Sequence, residues 1–143
     1  MSVGAAPIDP DEPILRRIPV KQGYYDPRKV PPVEAGSFRP NSNDTDGLSF
    51  YLEREISAQD LAASGNPDTQ YVVARLLARD LCAQGLTLVA DQQPGDLPGH
   101  LITPEINIHT YSNSHTRPRI KEVCRALTRI ANQNIAYQPP ASS

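Results

Sequence analysis

Cysteine is scarce in this chain of 143 residues: there are two, Cys82 and Cys124, far apart in sequence. That spacing excludes a Cys-x-x-Cys redox motif or a zinc ribbon. Both thiols fall inside apolar patterns and read as small core residues. A reducing, cytoplasmic setting is the expectation that follows. Long apolar runs are missing too. Nowhere do about 18 apolar residues follow one another, and the first residues hold neither a basic cluster nor an apolar segment, so no membrane partner and no leader are expected. Neither sign of charge dominates, with 14 Lys and Arg against 16 Asp and Glu and a net charge of -2. Global attraction to nucleic acid or to an anionic membrane is thereby excluded. The chain also lacks a P-loop, a dinucleotide fingerprint and a Gly-x-Ser-x-Gly elbow, which removes the common NTPase, Rossmann and hydrolase-elbow readings. No internal repeat is present.

Proline, by contrast, is plentiful: there are 15, eight of them at or before position 40. Residues 1–13 mix Gly, Ala, Pro and acids and are expected to be a disordered tail, and residues 139–143 a loose one. Between them, residues 14–138 are long enough for one domain with its own core. The segment Gly23 to Pro40 is rich in proline and aromatics and is expected to pack on a sheet through Tyr24, Tyr25, Val30, Val33 and Phe38. Connections of that length are uncommon in a small domain and often functional.

Period-two alternation marks the strands. Leu48 to Glu55 places Leu48, Phe50 and Leu52 on one face and Ser49, Tyr51, Glu53 and Glu55 on the other. Leu101 to Tyr111 places Ile102, Ile106 and Ile108 on one side, with Glu105, Asn107, His109 and Tyr111 opposite. Further strands are expected at 14–20, where Pro19 confines the strand to an edge or sits at its own end, and at 86–90. Residues 71–84 read either as one helix or as a strand 71–76 followed by a short helix. The β-branched start and the Gly85 stop favour the split. Ser57 is a helix N-cap with Asp60 in the first turn, giving a helix near 57–64. Ile120, Val123, Cys124, Leu127, Ile130 and Ala131 recur at helical spacing, so a helix near 119–133 docks on the sheet. The expected architecture is a single two-layer α+β domain: a four- to five-stranded, mostly antiparallel sheet with two or three helices on one face.

Several constellations carry possible chemistry. The spacing of Asp44, Asp46, Gly47 and Glu53 resembles an EF-hand calcium loop. However, Ser42 stands at its first position and prolines precede it where a helix must enter, so an Asx-stabilised turn is expected. Glu105 and His109, four positions apart on a strand, stand about 13 Å from each other, too far to share an ion. No metal or cofactor is expected. His100 ends a Pro-Gly loop at a strand entrance, where an imidazole can act as acid or base, with Arg16, Arg17 or Ser49 able to converge on it. Lys121, Arg125 and Arg129 form an i, i+4, i+8 stripe opposite the apolar face of the last helix.

Three functions follow as expectations. In the first, the chain is a protein-binding or adaptor module. It presents the polar sheet face of Glu105, Asn107, His109 and Tyr111, the helix stripe, or the edge bearing Pro104 to another protein. In the second, it is an enzyme acting on a nucleotide-like or other anionic small molecule, with Arg16 or Arg17 holding the anion and His100, Glu53 or Ser49 in catalysis. In the third, the stripe of Lys121, Arg125 and Arg129 meets nucleic acid. The oligomeric state is left open.

Overall fold

The computed structural model describes residues 8–140. The first seven residues of the expected N-terminal tail and the last three of the C-terminal one lie outside these. Six strands form one antiparallel sheet of order β4-β5-β2-β1-β3-β6. They are β1 (Pro13–Pro19), β2 (Leu48–Leu52), β3 (Tyr71–Leu77), β4 (Val89–Ala90), β5 (His100–Thr103) and β6 (Ile135–Tyr137). Four helices accompany them: α1 (Ala58–Ala63), α2 (Ala78–Ala83), α3 (Ile108–Ser112) and α4 (Arg117–Ala131). The α+β class and the single sheet are as the alternation implies, but the sheet has more strands than expected.

β1 is a central strand, so of the two places open to Pro19 the strand's own end is the one it takes. The strand pairs with β2 on one side and along its whole length with β3 on the other, and its prolines, Pro13 and Pro19, sit at its two ends. Placing them there spares the interior of the strand a missing N–H. A central strand must be apolar on both faces, and Ile14, Leu15 and Ile18 are all fully buried.

Helices cover both faces, which corrects the expectation of helices on one. On the first face Ile14, Ile18, Phe50, Leu76 and Leu101 meet Leu127 of α4 and Leu81 of α2. On the second, Leu15 and Val73 meet Ala58 and Leu61 of α1. α1 has six residues, too few to be stable alone, so it exists through that packing and through its cap, Ser57 Oγ, which accepts from Asp60 N at 3.1 Å. The Gly23–Pro40 segment lies on the α4 side. Tyr24, Tyr25, Val33 and Phe38 pack there, whereas Val30 is 98% exposed at the tip of a turn. The split of residues 71–84 holds: β3 gives way to α2 at Leu77, whose N–H donates to Asp80 Oδ2 at 2.9 Å.

The expected strand from 101 to 111 ends at Thr103. Pro104 follows, and Asn107 Oδ1 then accepts from His109 N at 2.8 Å and from Thr110 N at 2.9 Å, capping α3. Pro104 supplies no ladder donor and the Asn cap offers the chain a helical start, and together they override the alternation. The strand from 48 to 55 likewise stops at Leu52, where Glu55 N and Ile56 N turn back to Leu52 O. β4 keeps only the last two of its expected residues, and β6 was not legible as a strand.

Candidate functional site

The second sheet face is covered by α1 over β1 and β3, while over β2 and β5 it carries polar side chains. Ser49 stands opposite Ile102, and Tyr51 opposite His100. The β4–β5 hairpin loop, residues 91–99, curls against this face. Gln93 N donates to Asp96 Oδ2 at 2.9 Å, Gln92 Nε2 donates to Asp96 O at 3.3 Å and Leu97 O at 3.2 Å, and Gly99 O accepts from Leu52 N at 2.9 Å. Gly99 has φ +79, and a Cβ there would lie 2.8 Å from Glu55 Cβ. Only glycine lets the loop approach β2 so closely and deliver His100 in register.

His100 is wired through both ring nitrogens. Nδ1 lies 2.7 Å from Asp91 O, and Nε2 lies 2.9 Å from Ser49 Oγ. A backbone carbonyl can only accept, so Nδ1 carries the proton and donates it to Asp91 O. In the neutral ring Nε2 is then the acceptor, and Ser49 O–H donates to it. Carboxylate oxygens stand near the same Nδ1, Asp96 Oδ2 at 3.3 Å and Asp91 Oδ2 at 3.7 Å. They are placed to balance the charge that a second ring proton would bring. The Tyr51 ring lies 5.3 Å from the imidazole at 44° and restricts its rotation. Burial pushes the Tyr51 hydroxyl above its ordinary pKa, so it stays neutral. Asp91, Asp96 and His100 also form a group with the spacing of metal ligands. The Nδ1 lone pair that an ion would use is taken up by the N–H directed at Asp91 O.

The two candidate arginines part company. Arg17 is on the same face as Ser49. Its Nη1 donates to Ser64 Oγ at 2.9 Å and Leu61 O at 3.3 Å at the end of α1, and its guanidinium lies over Tyr71 at 5.1 Å. Nε and Nη2 of this fork have no partner among the described residues. Arg16 points to the opposite face. It donates to Ser37 O at 3.0 Å and Ser49 O at 2.9 Å, with Phe38 and Phe50 each 5.9 Å away. Desolvation lowers its pKa, though a guanidinium stays charged under any ordinary condition. Arg16 thus ties the Gly23–Pro40 segment to the backbone of Ser49 rather than waiting for a ligand.

Glu53 is also occupied, in a two-pronged pair with Arg75, both contacts at 2.6 Å. An open cavity of about 500 Å³ lies beside the site, between the start of α1 and the loop, lined by Glu53, Glu55, Ile56, Asp60, Leu97 and Pro98, but not by Ser49 or His100. The expected surface of Glu105, Asn107, His109 and Tyr111 does not exist as one face, because the chain turns there. Glu105 accepts from Thr87 N at 3.0 Å and Thr87 Oγ1 at 2.7 Å, Asn107 caps α3, His109 is exposed on α3, and Tyr111 packs toward the core. Pro104 follows an interior strand and marks no edge. Lys121, Arg125 and Arg129 lie on α4, which is on the other side of the sheet from Ser49 and His100. Asp91 and Asp96 were missed in the sequence. Their signal was the spacing Asp-x4-Asp-x3-His around two glycines, visible as a hairpin loop only once β4 and β5 are paired. No protein-family model, curated protein or solved structure matches the chain.

Proposed function

We propose that this chain is an enzyme that binds an anionic, nucleotide-sized molecule over the sheet face between α1 and the 91–99 loop. There it moves a proton through His100. The observation that carries this reading is the pair Ser49 Oγ and His100 Nε2 at 2.9 Å, with Nδ1 anchored on Asp91 O. A ring fixed in that tautomer presents a basic nitrogen to a hydroxyl, the arrangement by which an imidazole activates a nucleophile or takes a proton from a substrate hydroxyl in its place. Arg17, with part of its fork unengaged, is the anion ligand on the same face. Glu53 and Arg16 are assigned structural duties instead.

The test is binding followed by turnover. In ¹⁵N-resolved titrations, AMP and pyrophosphate should shift the amides of Arg17, Ser49 and His100. Phosphorus NMR of the mixtures, together with a panel of phosphate and carboxylate esters, then looks for product. Arg17→Ala should weaken binding about tenfold, the worth of one charge-assisted hydrogen bond. His100→Ala should leave binding in place and abolish turnover. If none of these anions moves any of the three amides, the reading fails.

The adaptor function has one observation in its favour. β4 is a free edge of only two residues, and Val89 on it is 46% exposed, so a strand from a protein partner could extend the sheet there. A pull-down that loses its partner on Val89→Lys, with Ser49→Ala neutral, would support that function over catalysis.

A further inference from the structure

The molecule's charge is segregated in sequence and in space. After Ile106 there are five basic residues and one acidic one, against nine basic and fifteen acidic before it. All five lie on α4, whose inner face is apolar through Ile120, Val123, Cys124 and Leu127, so the basic side chains are turned outward. Arg117 is held in place by donating to Tyr111 O at 2.8 Å and Ser112 O at 2.9 Å. Arg119 and Glu122 pair at 3.8 Å. Lys121, Arg125 and Arg129 make no ion pair among the described residues. Beside them a shallow cavity of about 440 Å³ is floored by Ser114, Arg117, Pro118, Lys121, Glu122 and Arg125.

We propose that the outward face of α4 docks on the phosphate backbone of duplex nucleic acid without reading sequence. The cations recur at about 6 Å along the helix axis, four residues at 1.5 Å each, which gives a row of point charges rather than a single-ion pocket. No exposed aromatic interleaves with them, so the face has no stacking platform for unpaired bases, and a duplex fits better than a single strand. The acidic remainder of the chain makes this the face that leads toward an extended polyanion, and affinity comes from counterion release. This site is on the other side of the sheet from His100 and does not depend on the reading given to that site.

The experiment is fluorescence anisotropy with a labelled mixed-sequence duplex of about 20 base pairs, at salt from about 50 to 200 mM. The three unpaired cations predict a slope of log K against log salt of roughly -3. The variant K121Q/R125Q/R129Q keeps good helix formers at exposed positions, so it should fold. It should bind at least tenfold more weakly at low salt and lose about three units of slope. A variant that binds like the parent, or a parent with no salt-dependent binding, overturns the proposal. So does binding to phosphatidylserine vesicles at a salt where the duplex is not bound.

Discussion

Replacing Arg16 by methionine separates the two arginines that the sequence left interchangeable. Methionine keeps an aliphatic stem beside Phe38 and Phe50 but removes both donors, leaving Ser37 O and Ser49 O without their partner. Hydrogen bonds to a charged group contribute about 1.5–3 kcal/mol each, and the desolvation of a half-buried guanidinium offsets part of that. The net loss should be about 2–4 kcal/mol, a large share of the 5–15 kcal/mol that holds a domain of this size together. At about 3–5 °C per kcal/mol the melting temperature should fall by roughly 6–20 °C. Arg16→Lys should recover less than half, since an ammonium can reach one carbonyl but cannot bridge two as a planar fork. Urea unfolding followed by circular dichroism measures all three proteins. A methionine variant as stable as the parent, with the same m-value, would refute the claim that Arg16 is a structural tie.

Other consequences follow from the same contacts. Gly99→Ala combines a positive φ with a Cβ 2.8 Å from Glu55 Cβ and 3.2 Å from Leu52 N and O; it should cost about 2–3 kcal/mol and shift the His100 ring signals. Unchanged ring signals would show that the loop approach does not position the imidazole. Cys82 is exposed, whereas Cys124 is buried, donates to Phe38 O at 3.2 Å and has its pKa pushed up to about 11 by desolvation. A disulfide reagent at neutral pH should therefore modify one thiol in the native protein and the second only on unfolding. Two fast thiols would contradict this packing. Burial works to raise the pKa of Glu105, but its hydrogen bonds from Thr87 and Thr103 outweigh that, and its carboxyl titrates below the ordinary value. A depressed carboxylate contributes stability above its unfolded-state pKa of about 4.3 and loses it as the pH falls through the folded value. The stability gap between the parent and Glu105→Gln should then be widest near neutrality and close under acid; a gap independent of pH would count against those bonds.

What the sequence made legible were the elements whose pattern is set locally. The capped helix after Ser57, the strand-then-helix split at Leu77 and the amphipathic α4 all follow from caps, β-branching and helical spacing over contiguous residues. Errors arose where a tertiary requirement competed with a local pattern. The alternation through Leu101–Tyr111 is real, yet Pro104 and the Asn107 cap divert the chain, and Ile106 is buried from a turn rather than from a strand. Pro19 left an edge strand and a strand end as alternatives, and the sheet order, which no local signal encodes, selects the end. The polar surface built on residues 105–111 dissolved with that strand. Ser49 and His100 were each visible as candidates 51 positions apart, but their contact depends on the β2–β5 register, which no local signal encodes.

The central claim is the protonation pattern of one ring, and long-range ¹H–¹⁵N correlation of the histidine side chains measures it directly. In the neutral ring His100 should show a protonated Nδ1, held on Asp91 O, and an unprotonated Nε2 facing Ser49 Oγ. Its Nε2 signal should move when Ser49 is replaced by alanine. A ring protonated on Nε2 instead, or one averaging between tautomers like a free histidine and indifferent to Ser49, would contradict the account.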